Sequence, residues 1–271
     1  MGSAAHDHKA LQAAGGLAAA LQTFERDGFV ALPGFLSPVQ TQQLRHATEE
    51  LFAREGTNGL GAYAVPSCRR LGNLFDKGSC FEALACDATV AEFAQEVIGT
   101  AGTRWQAFNA HDPRPGFSDA RQPIHADRSF FPGCTAYVNV IFALDDFTAT
   151  NGAPRIVPGS HHSDWPSVEG SSLLEPAPGE VRVLCSAGTA IICHGDVWHG
   201  GMENQSDSPR RALHLGFACP GTRPQYEITA ECSDAMRERV AARGLAALFP
   251  RSLPCFDGIP PDRPNKVGAK L

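Results

Sequence analysis

His194-Gly-Asp-Val-Trp198-His199-Gly-Gly-Met-Glu203-Asn-Gln-Ser-Asp-Ser208-Pro-Arg210-Arg211 is the stretch on which the reading of the fold turns. The residues before it, Thr189–Cys193, are apolar and β-branched and read as a strand leading into His199. Glu203 to Ser208 is polar and turn-forming, and it reverses the chain. Arg210 then opens a returning strand that runs to Ala218. Antiparallel pairing of these strands puts Arg210 near His199, pointing inward, and leaves Arg211 as the solvated neighbour. A guanidinium in that place grips a carboxylate with two parallel hydrogen bonds, which a lysine does less well.

Outward from this stretch the texture stays the same from Arg104 onward. Arg104–Asn109, Thr135–Leu144, Arg155–Val157 and Val181–Leu184 are further short strands, separated by Gly, Pro, Asn and Asp. Many short strands with turn punctuation point to a sandwich or barrel. The front of the chain is helical. Leu17, Leu21 and Phe24 recur at helical spacing before Gly28, and Phe29–Leu32 is a short strand. Ser37, Pro38 and Gln40 form a capping-box start for a helix running to about Gly56, with Val39, Leu44, Ala47 and Leu51 facing inward. Ala88–Ile98 and Ser233–Leu248 are two more helices, and a proline-rich tail follows. The whole chain, 1–271, reads as one domain: a helical N-terminal region over 1–103, a β core over 104–220, and a helix and tail over 221–271.

Composition narrows the function. The chain has 271 residues, 43% hydrophobic, and a net charge of −6. That is enough for one sizeable core and not basic enough for a nucleic-acid face. No run approaches the roughly 18 apolar residues of a membrane span. The first ten residues lack a signal-peptide core, and His6 stands where a myristoylation site needs Ser or Thr. Nine cysteines without a C-x-x-C pair read as reduced thiols of a cytoplasmic protein. The ending Ala269-Lys270-Leu271 resembles a peroxisomal address, which is the alternative compartment. A homodimer is compatible with the sequence, although no interface stripe marks one.

The chemistry is carried by His125-Ala126-Asp127 together with the distant His199. On a strand, residues two apart share a face, so His125 and Asp127 reach one ion while Ala126 points away. Two imidazoles and one carboxylate hold non-haem Fe(II) on one side and leave the other side open. A structural zinc site would be closed and would more often use Cys. Any single His-x-Asp is common; what raises this one is its company. His194 is the competing ligand, but its spacing from His199 makes it structural or a support behind the ligands.

That company resembles the phytanoyl-CoA dioxygenase family of Fe(II)/2-oxoglutarate oxygenases. The matching motifs are Gln122-Pro-Ile-His125-Ala-Asp127, Ala143-Leu-Asp-Asp-Phe-Thr-Ala-Thr-Asn151-Gly152, Pro158-Gly-Ser-His161, and Trp198-His199-Gly200 through Asn204, Ser206 and Arg210. With the Asp27-Gly28-Phe29 opening, the similarity spans about Phe24 to Pro220. The resemblance implies a mainly β fold with flanking helices, built on a double-stranded β-helix, the cupin-like jelly roll. It implies iron on His125, Asp127 and His199, and the distal carboxylate of 2-oxoglutarate on Arg210. It implies further co-substrate contact from Gln122, and from Tyr137 or Asn139 on the next strand. The family couples decarboxylation of 2-oxoglutarate by O2, giving succinate and CO2, to removal of a substrate hydrogen, with hydroxylation the default outcome.

The chain also departs from the family. Gly201 stands where many relatives carry a hydroxyl residue, and Ala153-Pro154 follows Asn151-Gly152 where many carry Thr or a bulky apolar residue. An intact Asp127 argues against halogenation, since related halogenases have Ala or Gly there. Phe130, Phe131, Trp198 and residues from Tyr63 to Leu74 are the expected pocket walls, with His161 and His162 as turn residues near the entrance. Arg69 and Arg70 are placed to meet an anionic substrate group, but two adjacent arginines on a loop read first as solvated. Without a basic CoA-binding cluster, the expected substrate is a small metabolite or natural product, with an acyl-CoA as the alternative. Two rival readings stay open in the sequence: a cupin-type metalloenzyme that uses no 2-oxoglutarate, and a non-catalytic jelly-roll binding protein.

Overall fold

A computed structural model describes residues 8–56, 66–99, 102–117, 121–127, 137–163, 174–220, 222 and 224–250. Phe130, Phe131, Tyr63, the tail beyond Pro250 and the tripeptide Ala269-Lys270-Leu271 lie outside the described residues.

The core is two antiparallel sheets. The larger has the order β1 (Phe29–Leu32), β7 (Ala190–His194), β4 (Tyr137–Ala143), β9 (Ala212–Ala218), β3 (Arg104–Pro113) and β2 (Cys68–Leu71). The smaller has the order β6 (Val181–Arg182), β5 (Arg155–Val157) and β8 (Trp198–Gly200). Consecutive strands from β4 to β9 largely alternate between sheets, which is the jelly-roll arrangement rather than a closed barrel.

Strand alternation assigns the two faces of the large sheet. Val140, Leu215 and Phe108 stand in register, as do Phe142, Leu213 and Ala110. These residues join the larger apolar core, where they meet Phe24, Leu44, Leu51, Phe81, Val90 and Phe93 from the helices. The helices are α1 (Lys9–Ala13), α2 (Leu17–Asp27), α3 (Pro38–Glu55), α4 (Ser79–Ala85) and α5 (Ala88–Ile98), with α6 (Ile228–Glu231) and α7 (Asp234–Ala242) late in the chain. Residues of the opposite parity, such as Ile141, Ile191 and Ala212, form a smaller core with Ile156 and Val183 from the small-sheet side. That inter-sheet space holds the site.

Most elements lie where the sequence places them, and the differences have causes. The α3 capping box is formed in both directions between Ser37 and Gln40. Val39, expected inward, is 67% exposed, because it sits in the first turn on the face away from the sheet. Strand β3 runs to Pro113 rather than Asn109, since β2 and β9 extend its pairing on both sides. Strand β6 stops at Arg182, leaving Leu184 exposed. The late helix breaks at Gly244, whose positive φ of 75° follows the end of α7 and leaves a separate 3-10 turn over Ala246–Leu248. No described helix is long and apolar enough to cross a membrane.

Candidate metal centre

The first ligand stretch reaches the last one through a single two-way bridge. The His125 amide donates to the His199 carbonyl at 2.8 Å, and the His199 amide donates to the His125 carbonyl at 2.9 Å. Residues paired in this way present their side chains to one face. His199 also stands opposite Ile156, which belongs to the inter-sheet core, so both imidazoles turn into that space. Their ring centroids are 4.4 Å apart. Asp127 lies just beyond the bridge. Its Oδ1 is 3.9 Å from His125 Nε2 and 3.8 Å from His199 Nε2. The three ligand atoms lie within 4.8 Å of one another.

Each imidazole is oriented from behind. His125 Nδ1 donates to the Pro123 carbonyl at 2.9 Å, and His199 Nδ1 donates to the Val197 carbonyl at 3.0 Å. With the proton on Nδ1, the Nε2 lone pair faces the shared point, as a metal requires. Burial, and then the neighbouring His199, lower the His125 pKa to about 4, so the ring is neutral and available as a ligand at neutral pH. The donor set fits Fe(II) with free positions on the open side.

Packing holds the two ligand stretches together. Gly200, next to His199, faces the backbone of the first stretch: an added Cβ would stand 3.0 Å from the Gln122 oxygen and 3.1 Å from the Pro123 oxygen. Arg155, fully buried opposite Gly200, donates to the Gln122 carbonyl at 2.8 Å and pairs with Glu180 at 3.1 Å. Gln122 itself uses Oε1 to accept from the Gly201 amide at 2.9 Å. A Cβ at Gly201 would meet that Oε1 at 3.0 Å. The missing hydroxyl residue at 201 is thus matched by a Gln122 side chain lying in its place.

Arg210 is buried, with 6% of its surface exposed, but the route that brings it here differs from the expectation. Its strand does not pair with that of His199. Strand β8 pairs with β5 in the small sheet, whereas β9 runs between β3 and β4 in the large one. Two half-buried histidines lie between the sites instead. His214 shares the inter-sheet face with Ile141, and His111 shares it with Ala212. Their ring centroids are 4.3 Å apart. Burial, then Arg210, Arg70 and His199, push the His214 pKa down to about 3. Burial, then His214, Arg70 and Arg210, hold His111 well below the usual range. These imidazoles are neutral and span the space between His199 and Arg210.

The Arg210 guanidinium stands 5.1 Å from the Phe147 ring centroid. Its Nε has no hydrogen-bond partner, and no described carboxylate pairs with it. Arg70 Nε, Asn139 Oδ1 and His214 Nε2 are likewise buried and unpartnered among the described residues. Buried polar atoms left unpaired are costly, so this group is suited to a polar ligand. Of the two adjacent arginines, Arg70 lies opposite His111 and faces inward rather than to solvent, whereas Arg69 is taken by Glu49 and Asp112.

The remaining sequence candidates divide. Tyr137 and Asn139 both face inward, as expected, and the Tyr137 ring crosses Gly216, where a Cβ would be 2.6 Å from its Oη. Trp198 sits next to His199 on β8, so alternation turns it to the other face of the small sheet and its strand position does not support a pocket wall. His194 accepts from the Asp196 amide and packs 5.7 Å from Phe24, a structural place. His161 and His162 both meet the Glu25 carbonyl at the end of α2, at 2.9 and 2.8 Å, and so serve as a turn clasp. Sequence reasoning missed His111 and His214. The signal was alternation: Leu213, Leu215 and Phe217 mark one face of β9, which leaves His214 on the other with Ala212 and Gly216.

Comparison with known proteins places the chain. The family model described as phytanoyl-CoA dioxygenase (PhyH) matches residues 24–212. Among curated relatives, the Fe(II)/2-oxoglutarate-dependent dioxygenase nvfF of Aspergillus novofumigatus is 31% identical over 209 residues, covering 70% of this chain and 67% of that protein. The dioxygenase sphC of Aspergillus fumigatus is 24% identical over 258 residues, covering 85% and 68%. Among solved structures, HygX from Streptomyces hygroscopicus, with nickel and 2-oxoglutarate bound, superposes with a TM-score of 0.64 at 18% identity, over 80% of this chain and 92% of that one. The carbocyclase SnoK from nogalamycin biosynthesis gives a TM-score of 0.63 at 20% identity, over 76% and 85%. These last two likenesses bear on the fold.

Proposed function

The chain belongs to the phytanoyl-CoA dioxygenase family and is an Fe(II)/2-oxoglutarate-dependent oxygenase; from that premise we propose that His125, Asp127 and His199 hold its iron, that Arg210 anchors the distal carboxylate of 2-oxoglutarate, and that it oxidises an unactivated C–H bond of a small metabolite or natural product. The observation that carries the assignment is the convergence of two Nε2 atoms and one carboxylate oxygen, with both Nδ1 atoms tied to backbone carbonyls. Family membership decides against a cupin that uses no 2-oxoglutarate and against a pure binding module.

Iron held there would activate O2, the oxidant, with 2-oxoglutarate and the substrate each giving two electrons, and hydroxylation with release of succinate and CO2 is the proposed outcome. The chain's own residues bind and orient. His125 and His199 offer neutral Nε2 donors, and Asp127 supplies one negative charge. The Arg210 guanidinium, which no described carboxylate pairs, accepts a carboxylate in the buried inter-sheet space. Arg70 adds a second positive charge there, and Asn139 and the His214 Nε2 offer polar contacts. The neutral His111–His214 pair keeps this space from gathering a third cation beside the two guanidiniums. Gln122 and Tyr137 complete the polar surroundings. A small-molecule substrate fits natural-product relatives such as the SnoK carbocyclase. We place the protein in the cytoplasm, on cysteines that lack the paired spacing of a disulfide framework.

The test is iron loading and succinate release. Purified protein given Fe(II), 2-oxoglutarate and O2 with a panel of small metabolites is expected to bind about one iron per chain and to release succinate. Asp127→Ala is expected to bind iron more weakly and to lose succinate release. Full iron retention and activity in that variant would remove Asp127 from the site.

A further inference from the structure

Arg210 is flanked by two acids, and neither pairs with its guanidinium. Asp112, at the end of β3, is 2% exposed. Its Oδ2 accepts from Arg69 Nε at 2.8 Å and from Arg69 Nη2 at 2.6 Å. Its Oδ1 accepts from the Arg210 main-chain amide at 2.9 Å. Asp145, just after β4, does the same one residue on. It accepts from the Arg211 amide at 2.9 Å and takes the Arg211 side chain at 2.8 Å through both Nε and Nη2. Both arginines then converge on Glu49 of α3: Arg69 at 2.9 and 2.8 Å, and Arg211 at 3.0 Å.

This network has a specific effect. Strand β9 begins at Ala212, so the amides of residues 210 and 211 fall outside its ladder. Without partners they would leave the approach to β9 loose. The two acids fix them. Meanwhile Arg69 and Arg211 occupy the side-chain oxygens that would otherwise attract Arg210. A buried guanidinium next to free carboxylates would pair with them and be lost to any ligand. Here the acids hold the backbone, and the guanidinium stays open.

We propose that Asp112 is a positioning residue for the co-substrate anchor: held by Arg69 and Glu49, it fixes the Arg210 backbone while leaving the Arg210 side chain free for a dicarboxylate. This rests on the reading of Arg210 given above. Asp112 is not one of the three metal-ligand residues, and its oxygens are taken by Arg69 and the Arg210 amide, so its effect is selective. It bears on recognition of the distal carboxylate and not on the chelating end of the ligand.

The experiment compares two probes in anaerobic titrations of the Fe(II)-loaded, full-length protein, read by the visible band of the iron chelate. One probe is 2-oxoglutarate. The other is 2-oxopentanoate, the same chain without the distal carboxylate. The wild type is expected to prefer the diacid, and Asp112→Ala to reduce that preference by about tenfold, the loss of one hydrogen bond to a charged group. Affinity for 2-oxopentanoate and for iron is expected to stay at the wild-type level. Asp112→Asn is nearly isosteric and safer for folding. Its single oxygen must serve both Arg69 and the Arg210 amide, so the preference falls there too, by less. A merely structural role would weaken both probes and iron together, and that result overturns the proposal. An unchanged preference in both variants overturns it as well. Arg210→Ala in the same assay separates the two claims: if the preference survives there, the Arg210 reading fails; if it collapses there but not in the Asp112 variants, only the Asp112 proposal fails.

Discussion

At Gly200 one absent Cβ decides how closely the two metal-ligand stretches approach. The atoms it would strike are backbone oxygens of Gln122 and Pro123, which cannot swing aside as a side-chain tip can. Gly200→Ala therefore pushes the His125 stretch away from β8 and strains the reciprocal His125–His199 bridge. The expected result is iron affinity lowered by about tenfold or more, the range seen when groups supporting metal ligands are disturbed. An Fe(II) titration of the folded variant checks it, and wild-type affinity would show that the bridge yields at no cost. Gly201 differs in kind, because a side chain there meets only the movable end of Gln122. The residues of the site are legible in the sequence as residue types: His125, Asp127, His199 and Arg210 all stand in motifs, and the structure brings the first three together. His111 and His214 are not legible in that way. Alternation in β9 sets His214 apart from Leu213 and Leu215, but only the strand register shows that it shares a face with His111 and Arg70.

At the level of elements, the sequence carries local signals well and pairing poorly. The Ser37–Gln40 capping box, the Gly28 helix stop and the alternation in β9 are all local, and all are formed. Strand β2 escapes a sequence reading because Cys68-Arg-Arg-Leu71 has no apolar run of its own; its pairing with β3 makes it a strand. The pairing expected between the His199 and Arg210 strands fails for a related reason. A polar turn between two strands suggests a hairpin, but a jelly roll sends successive strands to opposite sheets. The large sheet depends on its helix-facing row, where Phe142 is fully buried and its ring lies 5.7 Å from that of Phe35. Phe142→Ala is expected to cost about 3–5 kcal/mol, measured by urea denaturation. A cost under about 1 kcal/mol, the size of an ordinary surface change, would mean that this row does not hold helices to sheet.

Across the whole molecule, half-buried neutral histidines tie stability to pH. His111 and His214 titrate near the ordinary histidine value of 6.5 when unfolded but far lower when folded, burial being the main cause. Below pH 6.5 the unfolded chain therefore binds more protons than the folded one, and stability falls as pH falls. The lowered carboxylate pKa of Glu49, set first by its bond to Arg69, acts only at lower pH, below the ordinary glutamate value of 4.5. The melting temperature is thus expected to drop between about pH 6.5 and about pH 5, and His214→Gln to flatten that drop. A slope unchanged in the variant would show that His214 is not the source.

The same interior also carries the central claim, that a guanidinium from the large sheet, left unpaired by the described residues, and a metal triad beside it form one co-substrate site. Anaerobic titration of Fe(II)-loaded protein with 2-oxoglutarate tests this most directly, by the visible band of the chelate. A saturable band is expected in the wild type, and in Arg210→Ala an affinity lower by about a hundredfold, the loss of a two-point charged contact, with iron still bound. A band of equal affinity in Arg210→Ala, or no band in fully iron-loaded wild type, would contradict it.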